Sequence, residues 1–309
     1  MKATPSPRLV PKLTFAPTPR LLLAVALSSA SAALPAADLN FFAPCTLVPS
    51  ARFTSSGNVD TVVGFTAQRR GRLFWFLFDE DGDRLDRGDF LVEDTNVLVP
   101  FSVAQVASPE LANRTAIYLL ACLDNNDNDN GDGNIDFEDE AALAGNAFEI
   151  DIATNDVAFI PTIDIAVNNL DPDVIGDDLD DIDEDPVRSL PVGANDGDAL
   201  YIQYFIDGQA GGDDSFIYLY TTSEPDESQE VELFSDQVAE REVTLPLPGQ
   251  RLNVVDVDAV DDISGDSDAL PDGFLRWRNI DVNDAFCFIV VESPLFGAVQ
   301  TLMCNADPN

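Results

Sequence analysis

The chain has 309 residues, a formal net charge of −40 and no histidine. A charge of this sign and size repels nucleic acid and anionic membrane surfaces, so we expect neither as a partner. The absence of histidine excludes Ser-His and Cys-His nucleophiles and any histidine-based metal centre. Hydrophobic residues make up 45% of the chain, which is enough for a packed core despite the charge.

The first 32 residues have the pattern of an export signal. A basic lead is followed by a short apolar segment at 21–27 and by a small-residue cleavage site, Ala-Ser-Ala, at 30–32. The apolar segment is too short to remain in a bilayer as a spanning helix. Removing the signal takes away four of the 16 cations and none of the 56 acidic residues, which leaves a net charge of about −44. We therefore predict a periplasmic or extracellular protein with no membrane insertion after signal removal.

Short apolar runs, rich in β-branched and aromatic residues, follow the signal. They include 62–65, 73–78, 97–101 and 117–122, and Gly, Asn, Asp and Pro separate them. This pattern is typical of antiparallel strands, whereas helical periodicity is nearly absent. We predict an all-β protein of two tandem antiparallel β-sandwich-like domains, the first over residues 33–155 and the second over residues 156–309.

A weak internal repeat relates the two predicted domains. The run LFWFLF at 73–78 resembles SFIYLY at 215–220, and AIYLLA at 116–121 resembles AFCFIV at 285–290. Three further pairs of segments follow the same order, which favours a duplication. Chance similarity is the alternative, because any two β domains share such runs.

The two tryptophans allow a prediction about packing. Trp75 lies in an uninterrupted apolar run, and Trp277 alternates with Arg276 and Arg278. Successive side chains of a strand point to opposite faces, so Trp277 and the two arginines should lie on different faces. We predict that both tryptophans belong to the core. A ring exposed beside the arginines would instead be a candidate for ligand binding.

The segment NDNGDGNIDFED at 128–139 has the spacing of a calcium-binding loop. Oxygen-bearing side chains alternate, Gly133 permits a sharp turn, and Ile135 supplies an apolar anchor two residues later. Calcium takes six to eight oxygen ligands, and such spacing wraps a short loop around one ion. The segment resembles the EF-hand loop and, more closely, its dockerin variant. The resemblance implies a backbone carbonyl ligand from Asn134 and side-chain ligands from Asn128, Asn130, Asp132, Asp136 and Asp139.

The predicted loop occupies residues 124–146 of the first domain. By comparison with the second domain, we expect it to be an insertion at the tip of a hairpin formed by strands at 117–123 and 147–152. A short helix at 138–143 should follow the ligands directly. Only one such loop is present, so docking of the dockerin type is not expected. A solvated acidic turn is the alternative to a Ca²⁺ site.

Four cysteines in an exported chain favour two disulfides, for which three pairings exist. We prefer Cys45 with Cys122 and Cys287 with Cys304. The second pair rests on a predicted hairpin of the last two strands, whose turn at 292–297 brings Cys287 opposite Cys304.

Other acidic stretches are less specific. The composition of residues 171–185 favours a solvated loop over a metal site. For residues 256–268, a second ion site and a loop without an ion are equally consistent with the sequence. Residues 79–83 predict a hairpin turn in which Gly82 takes a positive φ. The general acidity has two compatible explanations, a need for calcium and adaptation to a salty habitat.

These features predict an exported, acidic, calcium-binding protein with a structural or adhesive role at the cell surface or in the extracellular space. Its partner would be an unknown protein or a polysaccharide, and no catalytic residue is assigned. The alternative is a carbohydrate-binding module or a glycosidase that uses carboxylates alone. This alternative requires a cleft with exposed Trp or Tyr and, for catalysis, two isolated carboxylates.

Overall fold

A computed structural model describes residues 42–124, 142–175, 182–206, 214–235, 241–264, 272–278, 280, 282, 284–293 and 298–307. The predicted export signal and the predicted calcium loop at 128–139 lie outside these residues. No helix in the described segments has the length and apolar character needed to cross a membrane.

Nine strands form the first of two sandwich-like bodies. Sheet I has the order β5-β2-β7-β8 and sheet II the order β4-β3-β6-β1-β9, with all neighbours antiparallel. The strands are β1 (Cys45–Val48), β2 (Val59–Ala67), β3 (Gly71–Phe78), β4 (Arg84–Val92), β5 (Val97–Ser102), β6 (Tyr118–Asp124), β7 (Leu143–Asp151), β8 (Asp156–Ile160) and β9 (Ile163–Ile165).

The second body contains the remaining strands of the described chain. Sheet III has the order β10-β17-β12-β15, with β18 also paired to β17, and sheet IV has the order β14-β13-β16-β11-β19. The strands are β10 (Ala194–Asn195), β11 (Ala199–Phe205), β12 (Asp214–Thr221), β13 (Ser228–Phe234), β14 (Arg241–Pro246), β15 (Leu252–Asp256), β16 (Asp272–Trp277), β17 (Asp284–Ser293), β18 (Ala298–Met303) and β19 (Asn305–Asp307).

The helices of the described residues are single turns that connect strands. They are α1 (Val103–Val106), α2 (Pro172–Ile175) and α3 (Asp261–Ser264), together with 3₁₀ turns at Pro109–Leu111, Val167–Asn169 and Val257–Ala259. The all-β class and the two sandwich-like bodies are therefore confirmed.

Strands β1, β3 and β6 of sheet II are buried on both faces. Trp75 of β3 contacts Phe101 of sheet I, with ring centroids 5.8 Å apart. On the opposite face, Phe78 stacks with Tyr118 of β6, and Tyr118 meets Tyr220 of sheet III at 5.3 Å. An uninterrupted apolar run such as 73–78 thus forms a strand that is covered from two sides.

Sheet III also contributes to two apolar layers. In β12, Tyr218 and Tyr220 belong to the core of the first body, whereas Ile217 and Leu219 pack against sheet IV. Strand β17 divides its side chains in the same way. Alternating residues of one strand therefore join the two bodies into a continuous interior. Sheets II and III are called the inner sheets below, and sheets I and IV the outer sheets.

The predicted division at residue 155 remains a prediction. Strands β8 and β9 lie beyond it in the sequence, yet β8 pairs with β7 and β9 pairs with β1. The first body therefore extends in sequence to Ile165. The duplication also stays a prediction: β3 and β12 both lie in inner sheets, but β4 lies in sheet II while β13, its counterpart in order, lies in sheet IV.

Both predicted disulfides are present. Cys45 of β1 is bonded to Cys122, its register partner in β6. Cys287 is bonded to Cys304 across the β17–β18 hairpin, where the Cys304 backbone N–H donates to the Cys287 carbonyl at 3.2 Å. The prediction of the second pair from hairpin geometry was therefore correct.

The turn at 79–83 also follows the prediction. Gly82 has a φ of 91°, a conformation that only glycine adopts at little cost. The Asp79 carboxylate closes the turn by accepting hydrogen bonds from the backbone N–H groups of Asp81 and Asp83.

Both tryptophans are buried, as predicted, with 5% of Trp75 and 2% of Trp277 exposed.

Two expectations about the surroundings of the calcium loop were wrong. Strands β6 and β7 do not form a hairpin, because β6 lies between β3 and β1 while β7 lies between β2 and β8. The predicted short helix at 138–143 does not extend to Leu143, which begins β7. Gly145 also lies within β7. It pairs with Phe65, and a Cβ there would lie 2.8 Å from Thr46 Cγ2.

The acidic stretch 171–185 is not simply a solvated loop. Its described ends place Ile175 and Ile182 in the core of the first body. Asp185 is only 5% exposed. The acidic stretch therefore contains apolar residues that pack into the core, although most of its residues are charged.

Candidate functional site

The outer face of sheet IV carries a depression of about 580 Å³. Four aromatic side chains from three strands line it, namely Tyr201, Phe205, Phe234 and Phe274. The volume of the depression and its largely apolar lining match small-ligand pockets, which are about 300–1,000 Å³ and mostly apolar. We therefore take the depression as the candidate site.

Strand alternation explains why these rings face outwards. In β11, Leu200 and Ile202 point into the core of the second body, so Tyr201 and Gln203 take the opposite face. In β16, Leu275 is fully buried, and Phe274 on the other face is 41% exposed. The site is thus a direct result of period-two alternation in strands that cover a core on one side only.

The register of sheet IV places the ring of Phe274 between those of Tyr201 and Phe234. Phe274 pairs with Gln203 of β11 on one side and with Phe234 of β13 on the other. The rings of Phe234 and Phe274 are stacked, with centroids 4.9 Å apart and planes 14° apart. Tyr201 lies 6.3 Å from Phe274 in a tilted arrangement. These contacts restrict the rings before any ligand binds.

Polar groups at the depression can make hydrogen bonds. Gln203 and Asn305 contribute side-chain amides, Ser235 a hydroxyl and Asp272 a carboxylate. Each amide both donates and accepts hydrogen bonds, whereas a carboxylate mainly accepts them. This mixture suits a neutral ligand that carries several hydroxyl groups.

The two arginines on this face share one carboxylate. Arg276 and Arg278 both pair with Glu232 of β13, and the Arg278 Nε lies 2.8 Å from the Glu232 Oε2. The guanidinium carbon of Arg276 also lies 4.8 Å from the centroid of Phe234. Because one carboxylate and one aromatic face engage these groups, they buttress the aromatic wall and are poorly placed to bind an anion.

A second aromatic pair lies on the outer face of sheet I. Phe148 of β7 and Phe159 of β8 are register partners in an edge-to-face arrangement, with centroids 5.9 Å apart. Phe159 is 45% exposed, close to the value for Phe274. This pair provides an internal reference, because Phe159 is about as exposed as Phe274 and also lies in an outer sheet.

A buried polar cluster joins the two bodies. The Asp185 carboxylate accepts hydrogen bonds from the Tyr118 hydroxyl at 2.7 Å and the Tyr220 hydroxyl at 2.5 Å. One tyrosine comes from each inner sheet. Burial raises the pKa of both tyrosines well above the ordinary value. The hydroxyls therefore stay protonated as donors, and the cluster serves to align the bodies.

Another ionic cluster contains Arg52, Glu149 and Glu292. Arg52 donates to the Tyr218 hydroxyl at 3.0 Å and lies 3.5 Å from the Glu149 carboxylate. Burial raises the pKa of both Glu149 and Glu292, while the charge of Arg52 opposes this shift. The cluster connects β7 of the first body with β12 and β17 of the second. Its contacts indicate a further link between the bodies.

The predicted calcium ligands all lie outside the described residues, namely Asn128, Asn130, Asp132, Asn134, Asp136 and Asp139. Within the described chain, no three His, Cys, Asp or Glu side chains come together as a metal site. In the stretch 256–268, the Asp256 carboxylate accepts a hydrogen bond from the Asp258 backbone, and Asp262 lies 3.9 Å from Arg241. These carboxylates thus have local partners.

The depression was not predicted from the sequence. The prediction that Trp277 and the two arginines lie on different faces concerned the same strand, in which Phe274 shares the face of Arg276, opposite Trp277. The sequence does contain an indication of this face. Phe274, Arg276 and Arg278 occupy alternate positions, which places an aromatic residue on the same face as the two arginines. Phe234 and Tyr201 join this face only through pairing between strands far apart in the sequence.

No family model matches the chain, and no curated protein matches it in sequence. Among solved structures, the chain is similar to an α-L-rhamnosidase of Streptomyces avermitilis complexed with L-rhamnose, at 11% identity and a TM-score of 0.22. That match covers 86% of this chain and 26% of the rhamnosidase. A lectin from Pleurotus ostreatus in complex with GalNAc matches at 8% identity and a TM-score of 0.18, over 87% of this chain and 84% of the lectin. At these scores neither similarity carries an argument about fold or function.

Proposed function

We propose that this protein is an exported structural or adhesive protein that contacts its partner through the outer face of sheet IV. The observation that carries the proposal is the aromatic depression around Phe274 on a scaffold stabilised by two disulfides. Disulfides persist in oxidising compartments, which supports export. An exposed aromatic surface on an otherwise highly charged protein favours a binding role.

The alternative of a carboxylate-only glycosidase receives less support. Such an enzyme needs two carboxylates that flank the bond to be cleaved. Of the described residues that line the depression, Asp272 alone is a carboxylate. Glu149 and Glu292 do have raised pKa values, but Arg52 engages them at the junction of the bodies. The proposal therefore assigns binding and no catalysis.

The test of the proposal is made in the cells that produce the protein. Fractionation should place it outside the cytoplasm, with a mature N-terminus after residue 32 and both disulfides oxidised, as measured by mass spectrometry. Deleting its gene should weaken attachment of the cells to one another or to a surface, and expression of the intact chain should restore attachment. A reduced, unprocessed cytoplasmic protein would contradict the proposal.

Calcium binding by residues 128–139 remains part of the proposal. Its support is the ligand spacing and the net charge of −40, which a divalent cation would partly relieve. Chelation by EGTA at modest salt should lower the melting temperature by several degrees, because an ion bound only by the folded state stabilises it. An Asp132→Asn, Asp136→Asn variant is the control and should not respond.

Equal ionic strengths of sodium and calcium separate specific binding from general screening. If both salts raise the melting temperature equally, the acidity reflects adaptation to salt and the calcium site is wrong. A larger effect of calcium that disappears in the double variant would support the site.

A further inference from the structure

We propose that the depression around Phe274 binds a neutral polysaccharide by stacking a sugar ring on its aromatic lining. This inference rests on the proposed adhesive function and names the partner of that site. A pyranose ring has a C–H face that packs on an aromatic ring and a rim of hydroxyl groups that form hydrogen bonds. The depression offers both kinds of surface side by side.

The aromatic lining supplies the stacking surface. Phe274 is 41% exposed and is held from one side by its stack with Phe234. Arg276 and Glu232 buttress Phe234 in turn. A ring that is already restricted loses little conformational freedom on binding, which favours affinity in a shallow site.

The polar groups supply the second half of the recognition. Gln203 is the register partner of Phe274, and both residues line the depression. Asn305 pairs with Tyr201 at the other end of the same face. Amides at both positions can donate to and accept from sugar hydroxyls, which change their donor and acceptor roles freely.

Charge selects a neutral ligand over an anionic one. The chain carries a net charge of −40, and Asp272 adds a carboxylate to the depression itself. The nearby Arg276 and Arg278 are both paired with Glu232. The two guanidinium groups and the carboxylates of Glu232 and Asp272 sum to no net charge, so this face offers an anion no net attraction. The charge of the whole chain then repels uronate, sulfate or phosphate groups. A second copy of this polyanion would meet the same repulsion.

The test uses affinity electrophoresis of the folded mature protein in gels that contain soluble neutral polysaccharides, namely a β-glucan, a mannan, a galactan and an arabinoxylan. Alginate and polygalacturonate serve as anionic probes. We expect one or more neutral polysaccharides to retard the protein, with little change between low and high NaCl. Retention by the anionic probes alone, or binding that disappears with salt, would overturn the inference.

Matched variants locate the binding site. Phe274→Ala should weaken binding at least tenfold, about 1.4 kcal/mol, whereas Phe159→Ala on sheet I should bind as the unchanged protein does. Thermal melting and light scattering show whether each variant stays folded and monomeric. Gln203→Ala, which keeps every ring, should weaken binding by a smaller factor and provides an independent readout if Phe274→Ala fails to fold.

The outcomes separate this inference from the proposed function. If Phe274→Ala and Phe159→Ala both bind as strongly as the unchanged protein, the binding site and the proposed contact surface on sheet IV are wrong, and the adhesive role then depends on the attachment phenotype of the gene deletion alone. If no neutral polysaccharide retards the protein but gene deletion still weakens cell attachment, the ligand class is wrong. Self-association that Phe274→Ala abolishes would identify a second copy as the occupant and also overturn the inference.

Discussion

The inner and outer sheets use the same aromatic residues for different purposes. In the inner sheets, Phe76 and Tyr118 are almost completely buried, because both faces of their sheet are covered. In the outer sheets, Phe159 and Phe274 remain more than 40% exposed, at 45% and 41%. A ring in an inner sheet therefore stabilises the fold, whereas a ring in an outer sheet is available for contact.

The two outer faces differ from each other in a further way. On sheet IV the stacked pair Phe234 and Phe274 lines a depression together with amide groups. On sheet I the edge-to-face pair Phe148 and Phe159 includes a ring of similar exposure, Phe159, and does not contribute to the lining of that depression. Exposure alone does not define a binding site. Convergent polar groups and a concave shape are needed as well.

The largest expected effect separates inner from outer phenylalanines. Phe76→Ala should reduce the free energy of unfolding by about 3–5 kcal/mol, since it leaves a cavity in a doubly covered sheet. Phe274→Ala should cost less than about 1 kcal/mol, because the ring is already partly in solvent. Denaturation in guanidinium chloride measures both. Equal costs would mean that the two sheets do not differ in burial as described.

The next effect concerns the cluster that aligns the inner sheets. Asp185→Ala should cost about 2–4 kcal/mol, because it leaves the buried hydroxyls of Tyr118 and Tyr220 without their acceptor. The control is Asp183→Ala, since the Asp183 side chain is 84% exposed in its ion pair with Arg84. An exposed pair contributes about 0–1 kcal/mol. A loss of stability as large in the control would show that the effect is not specific to the buried cluster.

The smallest effect is a dependence on pH that arises in the inner sheets. Burial raises the pKa of Asp164 in β9 from 3.8 to about 6. Burial, reinforced by the charge of Asp256, raises the pKa of Asp214 in β12 to about 6 as well. The folded state binds these protons more tightly than the unfolded state. Their contribution to stability is therefore complete below the unfolded pKa and is lost as the pH rises through about 6.

We therefore expect the melting temperature to rise by about 2–4 °C when the pH is lowered from 7 to about 4.5, a modest shift because partial exposure screens both charges. Scanning calorimetry at fixed ionic strength measures it. An Asp164→Asn, Asp214→Asn variant should melt higher at pH 7 and depend less on pH. A melting temperature that falls steadily on acidification would contradict the assignment.

The amino-acid sequence by itself determined much of the local structure. The β-branched and aromatic runs predicted the strands, the hairpin geometry predicted the Cys287–Cys304 bond, and the turn chemistry predicted the positive φ of Gly82. These features depend on neighbours along the chain or on one hairpin. Local conformational preferences are sufficient to specify them.

Tertiary structure alone decided how these pieces combine. The alternation of apolar and polar residues along a strand shows which side chains share a face, but it does not show which other element covers each face. For that reason the role of Asp185 and the separation of β6 from β7 into different sheets could not be predicted. The depression likewise requires Tyr201, Phe234 and Phe274 to meet through pairing of distant strands. Long-range pairing depends on the free energy of the whole packed interior, which no local pattern encodes.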